Sequence, residues 1–283
     1  MTGRNIAKWL DEFIAGPADL RKIAASKLMK ISEYYFDDHK VTPEVRKSIV
    51  IRISTLLSSP EPIVHECIAS LLGNLQVWTV EVKNILDCLL SNESESVLIN
   101  SVWAAASLKS NAQTLVPKIL TLQNHNSREV RFRLAYALKE IGLSDQNVRM
   151  ALLKLANDAD WLVRMYAFEA LSVCISIPDK HVERVLIRAL DDSDQAVRAG
   201  ACRAIGILKV TSKAAKRKLT LMAPEIRDAL WALSNNWPEL LHERDFRKLL
   251  EANIGYYWVD ELLANTQPIV DAEKNWFSKL FSQ

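Results

Sequence analysis

Five valines, Val64, Val97, Val130, Val163 and Val197, stand 33, 33, 33 and 34 residues apart. From each of them the residues at +4, +7, +8 and +11 are small or apolar. Leu134, Ala137, Leu138 and Ile141 follow Val130, and Ala201, Ala204, Ile205 and Leu208 follow Val197. At about 100° per residue these positions fall in one narrow stripe, which predicts an amphipathic helix packed along one side in every copy. A second apolar segment lies between the copies, for example "VRMALLKLA" (148–156) and "VERVLIRAL" (182–190). Two helices in every 33 or so residues, in tandem, predict an all-α fold: an α-solenoid of about seven helix pairs. No single pair can bury its apolar face alone, so both ends need caps. The first cap is expected at "IAKWLDEFI" and an irregular last one over 236–264. The solenoid therefore spans 1–264, with its clearest repeats at 59–208, and 265–283 forms an aromatic C-terminal tail or cap.

Composition agrees with a helical, water-facing chain. Only 7 Gly and 9 Pro occur in 283 residues, so tight turns are few. The N-terminal segment breaks its apolar positions with Lys8, Asp11 and Glu12, unlike a signal peptide. No stretch approaches the roughly 20 apolar residues of a membrane span, and the expected location is cytoplasmic. Cys67, Cys88, Cys174 and Cys202 form no CxxC pair and sit inside apolar helical patterns. They read as buried thiols, not as a disulfide or zinc framework. The net charge is only +2, but residues 121–220 carry 17 cations against 11 anions, and 221–283 carry 6 against 10. A basic middle points to an anionic partner as one alternative.

The stretches "DADWLVRMYAFEAL" and "DDSDQAVRAGACRAIG" share an Asp five residues before the Val, then Val-Arg, then Ala-x-x-Ala-Leu/Ile. In these residues the chain resembles the HEAT-repeat family, in its short form related to the phycobilisome lyases. That resemblance covers most of the chain. "ADLRKIAASKLMKI" (18–31) is an early copy and "PEIRDALWALS" (224–234) a degenerate late one. It implies a ladder in which Asp158 and Asp192 pair with Arg131, Arg164 and Arg198 across neighbouring repeats, through charge-assisted hydrogen bonds. Two copies depart from the pattern: His125 and Asn92 stand where the acid belongs, and Leu98 stands where the Arg belongs.

Three enzyme families are built on scaffolds of this kind. His65-Glu66 resembles the ligand motif of deoxyhypusine hydroxylase, whose di-iron site needs further His and carboxylate ligands from facing repeats. The equivalent positions here are Leu98, Arg131, Arg164 and Arg198, and three cations would repel a metal. The HEAT-like DNA glycosylases rely on a Trp-Asp setting; here Asp160-Trp161 falls at a helix start, where Asp serves as a cap. The lyases share only the repeat. No phosphate loop, nucleophile elbow or zinc helix occurs, so no catalytic residue, cofactor or metal is assigned. The cation-rich "KVTSKAAKRK" (209–218) reads as a solvated outer face or as a phosphate-contacting patch. The tail "NWFSKLFSQ" reads as a cap, or as an aromatic peptide that docks elsewhere.

The packed stripe leaves the +2, +6 and +9 positions of each Val-starting helix on the other side, which the family resemblance places on the concave surface. Three adjacent repeats put Ile99, Trp103, Phe132, Tyr136 and Met165 there. Arg133 and Tyr166 flank them, and Glu169 and Arg203 follow. A patch of apolar and aromatic side chains rimmed by charge marks an interaction surface. The function expected is a non-enzymatic scaffold or adaptor that binds a protein or peptide in this groove. A narrower version is a bacterial immunity-type partner. The alternative is a nucleic-acid-binding solenoid that uses the basic 121–220 region.

Overall fold

The computed structural model describes residues 3–31, 41–223 and 227–238, with isolated positions as far as 252. The described residues form fourteen α-helices and two short 3-10 segments, with no strand among them. The chain divides into two compact units, Met1–Ile177 and Pro178–Gln283.

The first unit holds α1 (Gly3–Ala15), α2 (Ala18–Leu28), α3 (Pro43–Ser54), α4 (Pro62–Leu75) and α5 (Val80–Leu89). It continues with α6 (Glu95–Ser107), α7 (Val116–Leu120), α8 (Arg128–Ile141), α9 (Gln146–Leu155) and α10 (Trp161–Cys174). The second helices of the pairs, α2, α4, α6, α8 and α10, pack in that order side by side, and the first helices alternate with them in a second layer. The second unit holds α11 (Lys180–Ala189), α12 (Gln195–Ile207), α13 (Lys213–Met222) and α14 (Arg227–Asn236), with α12 against α14. Among the described residues, α1–α10 make five helix pairs, the first of them including the helix expected as a cap, and α11–α14 make two more. The aromatic tail at 265–283, and most of the cap expected at 236–264, lie outside the described residues.

The stripe behaves as the spacing predicts. Ile68, Leu71, Leu134, Ala137, Ala167, Ala170, Ala201 and Ala204 are fully buried. The alanines let neighbouring helices approach, and each buried leucine or isoleucine contributes roughly 1.5–3 kcal/mol. Helix starts follow the sequence too. The carboxylates of Asp145, Asp160, Asp179 and Asp194 each accept a hydrogen bond from a backbone N–H one or two residues into the following helix, which satisfies donors that have no intrahelical partner.

Helix ends carry a regularity that residue types conceal. Gln76, Lys109, Gly142 and Lys209 are all twelve residues beyond a repeat valine, and all have positive φ, between 50° and 67°. Each reverses the chain with a left-handed residue, a conformation that costs a non-glycine residue roughly 1–2 kcal/mol. The copy at Val163 differs: Ile175, twelve residues beyond it, is extended at φ −115°. That break falls two residues before the first unit ends.

One rung of the expected ladder, Arg131–Asp158, joins neighbouring repeats. Arg131 donates from Nε and Nη2 to the two carboxylate oxygens of Asp158, at 2.7 and 2.9 Å. Its Nη1 donates to the carbonyls of His125 and Asn126 in its own turn. Arg164 and Arg198 hold their own turns in the same way, through the carbonyls of Asp158 and Ala159 and of Asp192 and Ser193. The residues that depart from the acid do its local work. Asn92 and His125 each accept the backbone N–H two residues ahead, as Asp158 and Asp192 do. His65 makes two contacts of its own. It lies 3.1 Å from the Leu57 carbonyl and 3.2 Å from the Asn92 amide nitrogen, in the position of the arginine. A carbonyl can only accept, so Nε2 carries the proton and Nδ1 accepts from Asn92.

Burial of the cysteines is uneven. Cys67, Cys174 and Cys202 are buried, and burial pushes the Cys174 thiol up to about 11. Cys88 is exposed, contrary to expectation. Helix α5 buries Val82, Ile85, Leu86 and Leu89, and Cys88 falls off that set.

Candidate functional site

The second-helix layer of the first unit carries a concave pocket of about 630 Å³. It is built from the ends of α2 and α4, the length of α6, and one face of α8. Of the residues singled out from sequence, Ile99, Trp103, Arg133 and Tyr136 line it together. Trp103 and Tyr136 occupy the same +6 slot of consecutive repeats, which is why stacking α6 against α8 brings both rings to one cavity.

Trp103 is partly exposed, and its other face is seated. A methyl group built on Gly73 of α4 would lie 2.9 Å from Cε3 of the Trp103 ring. The ring therefore occupies the space a side chain at residue 73 would take, and glycine is required by close approach rather than by φ. The second unit repeats the device: a methyl group on Gly206 of α12 would lie 2.9 Å from Cε3 of Trp231 on α14.

Phe132 is not open to the groove. It is 8% exposed, stacked on Tyr166 at 5.5 Å and covered by the Arg133 guanidinium at 4.9 Å. Its +2 slot faces the neighbouring repeat once α8 and α10 are packed, and a helical wheel of α8 alone cannot reveal this. Tyr166 also meets Tyr136 edge-on at 5.8 Å, so the three rings form one cluster that supports the pocket wall. Met165 and Glu169 are partly exposed on α10, beyond the pocket lining. Glu169 receives a 3.0 Å bond from Lys139. Burial alone would lower the Lys139 ammonium, but the charge and hydrogen bond of Glu169 outweigh it and hold the pKa above its ordinary value. Arg203 belongs to the second unit, where it pairs with Asp228 at 3.2 Å.

Several lining residues carry no signal that the +2/+6/+9 reading could use. Met29 and Ile31 close one side, and Asn74, Asn100, Lys109 and Glu140 bring polar groups. Most of these stand near helix ends, where the stripe argument stops. Gly73 did offer a signal, since a glycine inside a helix of good formers marks a close approach.

Several polar atoms of the groove have no partner among the described residues: the Trp103 indole N–H, the Tyr136 hydroxyl, the Asn100 carbonyl oxygen and both Nη of Arg133. Burial, then the nearby Glu140 carboxylate, raises the Tyr136 pKa, so the phenol stays protonated at neutral pH and can donate. No group of three or more His, Cys, Asp or Glu side chains among the described residues is placed to hold a metal ion.

The basic stretch at 209–218 is largely engaged within the second unit. Lys218 bonds Asp191 and the Ile187 carbonyl, Lys209 bonds Asn235, and Lys216 lies 5.7 Å from the Trp237 ring centre. Among the described residues, no helix is long and apolar enough to cross a membrane.

The sequence matches no curated protein. Among solved structures, an engineered protein superposes with a TM-score of 0.61 at 19% identity, over 92% of this chain and 77% of that one. YibA of Escherichia coli superposes at 0.60 and 17%, over 94% and 93%. A designed armadillo repeat protein in complex with a peptide, (KR)4, superposes at 0.56 and 16%, over 72% and 99%. These likenesses are of fold. The family model for HEAT repeats matches residues 82–172 and 150–234, together more than half of the sequence, and the chain belongs to the HEAT-repeat family.

Proposed function

We propose that this protein is a non-enzymatic scaffold or adaptor, working in the cytoplasm, that binds an extended segment of another protein in the α4–α6–α8 groove. The observation that carries this reading is the pairing of Trp103 and Tyr136 across one 630 Å³ cavity, with unpartnered donors and acceptors between them. An extended polypeptide presents an N–H and a carbonyl at every residue and needs a wall offering both senses. Trp, Tyr and Arg are the side chains on which interface energy concentrates. The designed armadillo protein with its (KR)4 peptide supports the idea that stacked helix pairs of this kind hold peptides.

The nucleic-acid alternative is less well supported. It relies on free cations, and the 209–218 stretch uses several of its lysines internally. The immunity-type version rests on no particular residue.

The test is Tyr136→Ala combined with Ile99→Glu, neither of which touches the Gly73 seat. The variant is expected to keep its helical circular dichroism while losing its partner by at least about tenfold, the scale of a central hot spot. A folded variant with undiminished binding would move the site elsewhere. Affinity falling steeply with salt would favour a phosphate backbone as the ligand.

A further inference from the structure

We infer that the groove selects an acidic segment: an apolar anchor side chain between Trp103 and Tyr136, with a carboxylate one or two residues away bound by Arg133. This deepens the peptide-binding reading and rests on it.

The charges of the groove are unequally engaged. Lys139 is neutralised by Glu169 at 3.0 Å, and Glu66 is occupied by the Ser96 hydroxyl at 2.5 Å. Lys109 and Glu140, twelve and ten residues beyond Val97 and Val130, both line the pocket late in their repeats and carry opposite charges. Arg133, three residues beyond Val130, lines it early in its repeat. Only its Nε is engaged, by Glu129 at 3.2 Å; both Nη atoms have no partner among the described residues.

The guanidinium is also held in place. It lies over the Phe132 ring, which is buried and stacked on Tyr166. A planar fork fixed by a salt bridge on one edge and an aromatic face beneath it has already lost much of its rotamer freedom, so it binds a carboxylate at low entropic cost. A carboxylate also suits the fork geometrically, since its two oxygens can accept from parallel N–H groups.

Spacing sets the position of that carboxylate. Arg133 and Tyr136 are three residues apart on α8, about 4.5 Å along the helix axis. An extended peptide advances about 3.3 Å per residue, which places the acid at the first or second residue from the anchor. A basic side chain there would meet the guanidinium instead.

Three fluorescein-labelled peptides test this by anisotropy: Gly-Ser-Gly-Phe-Gly-Glu-Gly-Ser-Gly and its Gln and Lys counterparts at the Glu position. The expected order is Glu tighter than Gln by about tenfold, with Lys weakest. Arg133→Gln should abolish the Glu preference and Arg133→Glu should reverse the order, both with helical circular dichroism retained. Equal binding of all three peptides, lost in Tyr136→Ala, would overturn the acidic selection and leave peptide binding standing. Binding of none of the three would overturn both. A rank order unchanged in Arg133→Glu would remove Arg133 from the site and sink the inference.

Discussion

The α4–α6 junction and the α8–α10 junction answer one stacking requirement with different chemistry. At α8–α10, a bidentate Arg131–Asp158 pair joins the repeats at one end, and Phe132 stacks on Tyr166 beside it. At α4–α6, a neutral His65–Asn92 contact stands at the equivalent place, and Trp103 sits in the space left by Gly73. The repeat geometry survives the exchange because each version still satisfies the turn carbonyl and still ties one repeat to the next. The balance of forces changes. The first junction leans on charge, and should answer to acid. The second leans on shape, and should answer to volume.

Volume gives the largest effect. Trp103→Ala empties the seat over Gly73 and should cost about 3 kcal/mol, the low end for a large aromatic because one face is already exposed. Gly73→Ala should also destabilise, since its methyl would strike the ring. The two should be strongly non-additive in urea denaturation: with the ring gone, the methyl has room. Additive losses would show that Trp103 does not depend on Gly73.

Charge comes next. Arg131 and Asp158 are 16% and 12% exposed, and Arg131→Ala strands a partly buried carboxylate, at a cost of about 2–3 kcal/mol. Arg128, also paired with an aspartate but 71% exposed, should lose less than about 0.5 kcal/mol as alanine. Acid separates the junctions further. Burial would raise the Asp158 pKa, but the hydrogen bond from Arg131, the Asp160 N–H and the arginine charges bring it below the ordinary 3.8. A carboxyl depressed in the folded state contributes its full stability above the unfolded value and loses it as pH falls through the lowered one. The gap between wild type and Arg131→Ala should therefore hold steady down to about pH 5 and close below 3.8. A gap that persists at low pH would mean the pair does not carry it.

His65→Ala should cost about 1 kcal/mol, a net neutral hydrogen bond, which is less than Arg131→Ala. The double variant His65→Arg/Asn92→Asp should restore that loss and import the acid sensitivity of the other junction. If it folds no better than His65→Ala, the two rungs are not equivalent. Smallest is the helix end that follows α8. Gly142→Ala places a methyl at φ +67° with no atom nearer than 3.9 Å, so strain alone should cost about 1 kcal/mol. The same replacement should shift the melting temperature without altering peptide binding.

Much of this was legible from residue spacing. The valine period, the Ala-rich stripe and the capping aspartates each act within one helix turn, and every residue of the stripe is buried. The groove was legible in part. Trp103 and Tyr136 share a slot, so spacing brought them to one face. Phe132 stands only one turn from Tyr136, yet it is buried by a ring 34 residues later in the chain. The His65–Asn92 contact spans 27 residues and joins two residue types outside the Asp-Arg pattern, so no local rule could pair them.

The sequence by itself determined that this chain forms helix pairs and which face of each helix is packed, because apolar periodicity acts on each helix before any neighbour is present. Only the tertiary structure decided which outward-facing side chains remain open, where a glycine must yield to a tryptophan, and that Gln76, Lys109, Gly142 and Lys209 all turn left-handed. Those outcomes depend on the distance between stacked helices. That distance is set jointly by side chains some thirty residues apart, and the packing gained there outweighs the local preference of each residue.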